Sequence, residues 1–196
     1  MNLPNKLTIF RITLVPFFLL FISIEAIPYN FTIATVIFLV AALTDHLDGR
    51  IARSQNIITD FGKFMDPLAD KLLVTAALIA LVEYNLIGGW IAVIIIAREF
   101  AVSGLRTLAA NEGTVIAASV WGKVKTTTQM VAVVGLLIEL ISLNETYLME
   151  LFKSIPALGS FFSMVPIVIM YVATFFTILS GIDYFRNGKE FINIHK

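Results

Sequence analysis

Apolar residues run along this chain in six long stretches, separated by short polar segments. The stretches cover approximately Ile9 to Ile24, Tyr29 to Leu43, Leu68 to Val82, Leu86 to Leu108, Val120 to Leu143 and Phe161 to Phe185. A hydrocarbon layer about 30 Å thick takes roughly 20 apolar residues to cross as a helix. The pattern therefore predicts an all-α integral membrane protein with six transmembrane helices. The second and third stretches are short by hydropathy alone, but each runs into the polar segment between them as continuing helix, which predicts helices that project out of the lipid. Met1 to Leu7, with Pro4 and Asn5, reads as a short N-terminal interfacial segment and not as a cleavable signal, because Arg11 and a long apolar run follow without a small-residue cleavage pattern. Between the fifth and sixth stretches, Glu145 to Phe152 is amphipathic and is expected to lie along the interface. No repeat, low-complexity tract or shift in composition marks a second unit, so residues 1–196 read as a single membrane domain.

Composition supports the membrane reading. Of the 196 residues 58% are hydrophobic and 14% charged, with a mean hydropathy of +0.89, more apolar than a soluble core of this size needs. The formal net charge is zero, so no bulk attraction to nucleic acid or acidic substrates is implied. The placement of the charges says more. On the six-span layout Lys6, Arg11, Arg50, Arg53, Lys63, Lys71, Arg98, Arg106, Lys123, Lys125, Arg186, Lys189 and Lys196 fall on the side of both termini, and Lys153 falls on the other. The positive-inside rule then puts both termini and the polar segment in the cytoplasm. Cysteine is absent and His46 and His195 are the two histidines, so any metal must be held by oxygen, which favours hard divalent cations such as Mg²⁺ or Mn²⁺.

The polar segment holds four aspartates: Asp45 and Asp48 in TDHLDGRIAR, Asp66 and Asp70 in FGKFMDPLADK. On a helix Asp45, Asp48, Gly49, Ala52 and Arg53 form one stripe, and Gly62, Asp66 and Asp70 form another. Pro67 means either that Asp66 lies in a first helical turn or that the helix is kinked there. Four carboxylates at close quarters in a low dielectric repel one another unless cations lie between them. Oxygen ligands with positions left over for phosphates describe a magnesium-type site, and a pair of such ions suits a diphosphate. Gly49 and Ala52 leave room for a nucleotide or diphosphate against the helix backbone, and Arg53 can contact phosphate. The bland alternatives are capping or solvated aspartates, and small residues serving close helix packing.

A second cluster is basic. Arg98 and Arg106 in AREFAVSGLR are separated by about 80° around a helix and about 12 Å along it, so both can face one cavity. A charge within a span is a functional hypothesis by default, with an ion pair to Glu99 as the structural alternative. Lys123 and Lys125 in WGKVKTT stand about 200° apart, so at most one is expected to share that cavity, the alternative for each being snorkelling to headgroups. Thr8 and Arg11 in NKLTIFR add a polar contact and a cation at the same membrane face, or serve as anchors there.

The segment from Asp45 to Asp70 resembles the CDP-alcohol phosphotransferase family, whose signature D-x-x-D-G-x-x-A-R-x8-G-x-x-x-D-x-x-x-D is met at every defined position: Asp45, Asp48, Gly49, Ala52, Arg53, Gly62, Asp66 and Asp70. The six-span layout is similar to that family as well. The strings NKLTIFR, TDHLDGRIAR, KFMDPLADK and AREFAVSGLR resemble its bacterial phosphatidylglycerophosphate synthase branch, which makes phosphatidylglycerol phosphate and CMP from CDP-diacylglycerol and glycerol 3-phosphate. The resemblance implies two divalent metal ions on Asp45, Asp48, Asp66 and Asp70, with Asp70 also the general base. It implies CDP binding by Gly49, Ala52, Arg53 and Gly62, and acceptor phosphate binding by Arg98, Arg106, Lys123 or Lys125, with Arg11 and Thr8. It further implies a homodimer in the bacterial cytoplasmic membrane. The same signature serves acceptors such as serine, inositol phosphate or phosphatidylglycerol. An intramembrane prenyltransferase, which also grips a diphosphate with aspartates, and a transporter with charges along a wet route are the competing expectations.

Overall fold

The computed structural model describes residues 3–55, 60–111, 113–114 and 120–188, with side chains except at 3–4, 45–55, 60–64, 66, 111 and 187. An apolar chain in lipid has to satisfy its backbone groups internally, which a helix does within one segment. The described residues form seven helices and no strand: α1 Leu3–Ser23, α2 Asn30–Gln55, α3 Asp60–Glu83, α4 Gly89–Asn111, α5 Val120–Asn144, α6 Thr146–Ser154 and α7 Pro156–Asn187. All except α6 contain most or all of one of the six apolar stretches. Among the described residues, Asn5–Ser23, Val120–Asn144 and Pro156–Arg186 are long and apolar enough to cross a membrane, and Asn30–Thr44 within α2 is a shorter apolar helix.

The polar flanks are helical as expected, since α2 runs on to Gln55 and α3 starts at Asp60; residues 56–59 lie outside the described residues. Because α3 starts six residues before Asp66, that aspartate sits in its second turn and Pro67 is an interior residue, which forgoes one backbone hydrogen bond. Two boundaries differ from expectation. The N-terminal segment is no separate lead-in from Leu3 onward but the first turns of α1, since Pro4 falls where a helix has no use for its missing N–H. The last long helix starts at Pro156 and not near Phe161, with Ile155 breaking it from α6. Ile155 has φ −125° and ψ 80°, outside the helical region, because the proline ring behind it disfavours helix at the preceding residue.

The helices α1, α2 and α3 pack on one another, while α7 packs against α4 and, most extensively, against α5. Phe18, Phe38, Leu78, Leu81, Ile91, Ile95, Leu136 and Leu137 fill the core between them. Large apolar side chains also point outward, among them Phe17, Val93, Met164, Val168 and Phe175. So much outward apolar surface suits lipid and not water. At the end away from the polar segment, the buried Glu145 carboxylate accepts from the Thr32 N–H at 2.9 Å and the Thr32 hydroxyl at 2.6 Å, a negative charge at the positive end of α2. With its proton so used, the Thr32 hydroxyl accepts from the Tyr147 hydroxyl at 2.8 Å, tying α6 to the same point.

Close approach of α5 and α7 rests on Gly135. A Cβ there would lie 2.7 Å and 2.9 Å from two ring carbons of Pro166. The ring is rigid and belongs to the helix itself, so it cannot swing aside. Gly135→Ala should therefore lower stability by about 1–3 kcal/mol from overpacking, more than the roughly 1 kcal/mol that alanine gains in helix propensity. A lower unfolding midpoint in detergent would bear this out, and a raised one would contradict it.

Candidate active site

The helices α2 and α3 pack together and are joined by residues 56–59 alone, which makes them antiparallel neighbours. Asp45 and Asp48 stand ten and seven residues before Gln55, and Asp66 and Asp70 six and ten residues after Asp60. At 1.5 Å per residue, both pairs lie about 9–15 Å from the connection, at matching heights on the two helices. Asp70 is exposed. The side chains of Asp45, Asp48, Ala52, Arg53 and Asp66 are not among those described, and Gly49 and Gly62 are placed only as positions within α2 and α3. Aspartate is the residue type whose oxygens a hard divalent cation takes, and the helix backbones bring these four positions to one height.

Beside this step lies a cavity of about 210 Å³, walled by α3, α4 and α5 and closed by Phe38 of α2 and Tyr184 of α7. Its wall carries Asp70 and Glu99 as carboxylates and Lys71, Arg98, Arg106, Lys123 and Lys125 as cations. Among the described residues, five cations line it against two carboxylates, a local excess of positive charge. Arg98 and Arg106 share it, as their spacing predicts. Lys123 and Lys125 both reach it, although at most one was expected to. The arc of α5 that faces the cavity is about 160° wide and centred near Gly122, Gln129 and Val133, so the two lysines flank it from opposite edges. Thr8 and Arg11 are buried on α1, which packs against α2 and α3, and are not among the residues lining this cavity.

Lys71, Arg98, Arg106 and Lys125 are each held by a neighbouring side chain. Lys125, 1% exposed, is ion-paired with Glu99. The Arg98 guanidinium lies 3.9 Å from the same carboxylate and also donates to the Ser180 hydroxyl. Glu99 is thus the ion partner that the sequence offers as an alternative role for Arg98, and the pairing leaves Arg98 on the cavity wall. Arg106 donates to the Tyr184 hydroxyl, and Lys71 to the Ser103 hydroxyl. The Tyr184 ring lies 5.5 Å from the Arg98 guanidinium carbon and 5.1 Å from that of Arg106, a cation–π contact with each. Ser180 and Tyr184, four residues apart on α7, therefore hold two arginines eight residues apart on α4.

Neither Ser180 nor Tyr184 is singled out by the sequence reading, and neither are Lys71, Ser103 and Gln129. A usable signal exists: Ser180 and Tyr184 form a polar pair at i, i+4 near the end of an apolar run, which marks one face of that helix.

A family model described as CDP-alcohol phosphatidyltransferase matches residues 1–179. The chain belongs to that family. The chain is 40% identical over 200 residues to the CDP-diacylglycerol–glycerol-3-phosphate 3-phosphatidyltransferase of Bacillus subtilis (strain 168), covering 96% of each chain. It is 40% identical over 195 residues to the protein of that name in Haemophilus influenzae, covering 96% of this chain and 94% of that one. With the Escherichia coli (strain K12) protein of that name it shares 45% identity over 141 residues, 69% of this chain and 76% of the other. As a member of the CDP-alcohol phosphatidyltransferase family the chain is a transferase, and the prenyltransferase and transporter alternatives fall away.

The double hold of Tyr184 on the arginines has a measurable worth. Tyr184→Phe keeps the ring and loses the acceptor for Arg106, a cost of about 1–2 kcal/mol. Tyr184→Leu loses the aromatic face as well, for a further cost of about 1–2 kcal/mol. Denaturant titration in detergent should rank wild type above Phe above Leu, and equal stability of the two variants would exclude the ring contacts as a stabilising element.

Proposed function

We propose that this chain transfers the phosphatidyl group of CDP-diacylglycerol to glycerol 3-phosphate, releasing CMP, as a phosphatidylglycerophosphate synthase of phospholipid biosynthesis. The observation that carries the reading is the cavity that sets Asp70 beside Arg98, Arg106, Lys123 and Lys125. A carboxylate that can take a proton shares one space with a cation cluster suited to a phosphate dianion. The near full-length likeness to relatives named for this reaction supports the choice of acceptor.

In this reading Asp45, Asp48, Asp66 and Asp70 hold two divalent cations of the Mg²⁺ or Mn²⁺ kind. When bound, these supply charge neutralisation for the diphosphate and for the oxygens entering and leaving at phosphorus. Gly49, Ala52, Arg53 and Gly62 receive the CDP moiety, where the small residues leave backbone accessible and Arg53 pairs with phosphate. Arg98 and Arg106, held in place by Ser180 and Tyr184, bind the acceptor phosphate together with Lys123 and Lys125. That grip fixes the acceptor, and its free hydroxyl then meets the Asp70 carboxylate, which takes the proton as the oxygen attacks the phosphorus bearing diacylglycerol. The bond from that phosphorus to the CMP oxygen breaks, and CMP leaves.

The layout in the membrane follows the same reading. The helices α1 to α5 and α7 cross the bilayer, α6 lies along the far face, and both termini and the active site face the bacterial cytoplasm. The support is that each of these six helices has at least 21 residues and that the cations crowd the cavity end. A homodimer is proposed on the family resemblance alone.

Purified protein given CDP-diacylglycerol and Mg²⁺ should release CMP with glycerol 3-phosphate and far more slowly with serine or inositol phosphate. Equal rates with all three would remove the acceptor assignment. Asp70→Asn should lower kcat by about 10²-fold or more while the protein stays folded; retention of more than about a tenth of the rate would take Asp70 out of the role of base.

A further inference from the structure

Gln129 stands on α5 one turn beyond Lys125, lines the cavity and is 4% exposed. Its side-chain oxygen is buried and has no hydrogen-bond partner among the described residues. Buried polar atoms are nearly always satisfied, and one that is not calls for an explanation. Three polar neighbours on the cavity wall are engaged elsewhere. Lys125 is paired with Glu99, the Thr126 hydroxyl donates to the Gly122 carbonyl at 3.0 Å, and Lys71 donates to Ser103. The wall thus offers a neutral amide, set among cations, to whatever enters.

The acceptor of the reaction proposed above has three polar parts. Its phosphate is an acceptor of hydrogen bonds and suits the arginines and lysines. One hydroxyl reacts and gives its proton to Asp70. The other hydroxyl is left over, and burying it without a partner would be unfavourable. A hydroxyl both donates and accepts, so it satisfies either end of the amide, whichever way the amide is turned.

Resting on that reaction, we propose that Gln129 is a specificity-determining residue. Its carboxamide hydrogen-bonds the hydroxyl of the polyol phosphate that is not phosphatidylated. It thereby selects glycerol 3-phosphate over phosphomonoesters of equal charge that lack the group. A site built to bond a hydroxyl rejects the analogue without it, because the buried amide is then left unmatched.

The test compares kcat/KM for CMP release by the purified full chain with glycerol 3-phosphate and with 3-hydroxypropyl phosphate, which lacks only the secondary hydroxyl. Wild type should prefer glycerol 3-phosphate by about tenfold or more, and a smaller preference overturns the proposal even if every variant fails to fold. In Gln129→Met, of similar size, the preference should shrink by more than about threefold. An equal loss on both acceptors, leaving the ratio intact, marks a merely structural role and overturns it too. No CMP from wild type with either acceptor would instead overturn the underlying reaction, and this proposal with it.

Discussion

Charge in a low-dielectric helix bundle must be paired, hydrogen-bonded or wet, and the arrangement of α4, α5 and α7 follows from that constraint. Arg98 and Glu99 are consecutive on α4, with their charged ends 3.9 Å apart, and each also meets a partner from another helix. Glu99 is met by Lys125 from α5, and Arg98 by Ser180 and Tyr184 from α7. Three helices are needed to make these charges tolerable. Once they are assembled, the described part of the wall still carries more cations than carboxylates. In the proposed reaction that surplus receives the acceptor phosphate.

The spacing of the same three helices depends on an apolar contact. Gly135 lets α5 lie against the Pro166 ring of α7, and α7 in turn packs on α4. At the C-terminal end of α7, Leu105 of α4 lies where a side chain on Gly188 would go, within 2.5 Å of its Cβ. Leu105, Val102 and Tyr184 form a small apolar cluster there, apart from the main core. The aromatic ring that holds two arginines is thus itself seated by aliphatic packing, which keeps its face toward the guanidinium groups.

Asp70 joins the two halves of the candidate site. Along α3 it belongs to the aspartate stripe that continues from Asp66, and across the bundle it belongs to the cation-lined cavity. Matching heights of the two aspartate pairs come from helix geometry, because α2 and α3 are antiparallel and their connection is short. In the proposed reaction the diphosphate and the acceptor phosphate then approach Asp70 from two directions, and each meets charge of opposite sign.

Residue order alone determined that the chain is helical, where its long apolar helices run, that four aspartates stand in two helical stripes, and which family it belongs to. Hydropathy and spacing are local properties, and one helix expresses them without reference to any other. The eight signature residues fall within a single stretch, so no folding is needed to see them. Tertiary structure alone decided which basic residues share a space. Arg98 and Arg106 were legible from their spacing, but the joint presence of Lys123 and Lys125 was not, because it depends on how wide an arc of α5 the cavity takes in. The absence of Thr8 and Arg11 from its wall depends in the same way on where α1 packs. Ser180, Tyr184 and Gln129 are unremarkable polar residues in apolar runs until α4 and α7 are brought together and the amide of Gln129 is enclosed. Their roles arise from contacts between helices far apart in the chain; the i, i+4 spacing of Ser180 and Tyr184 marks a polar face of α7 but not the arginines that it meets.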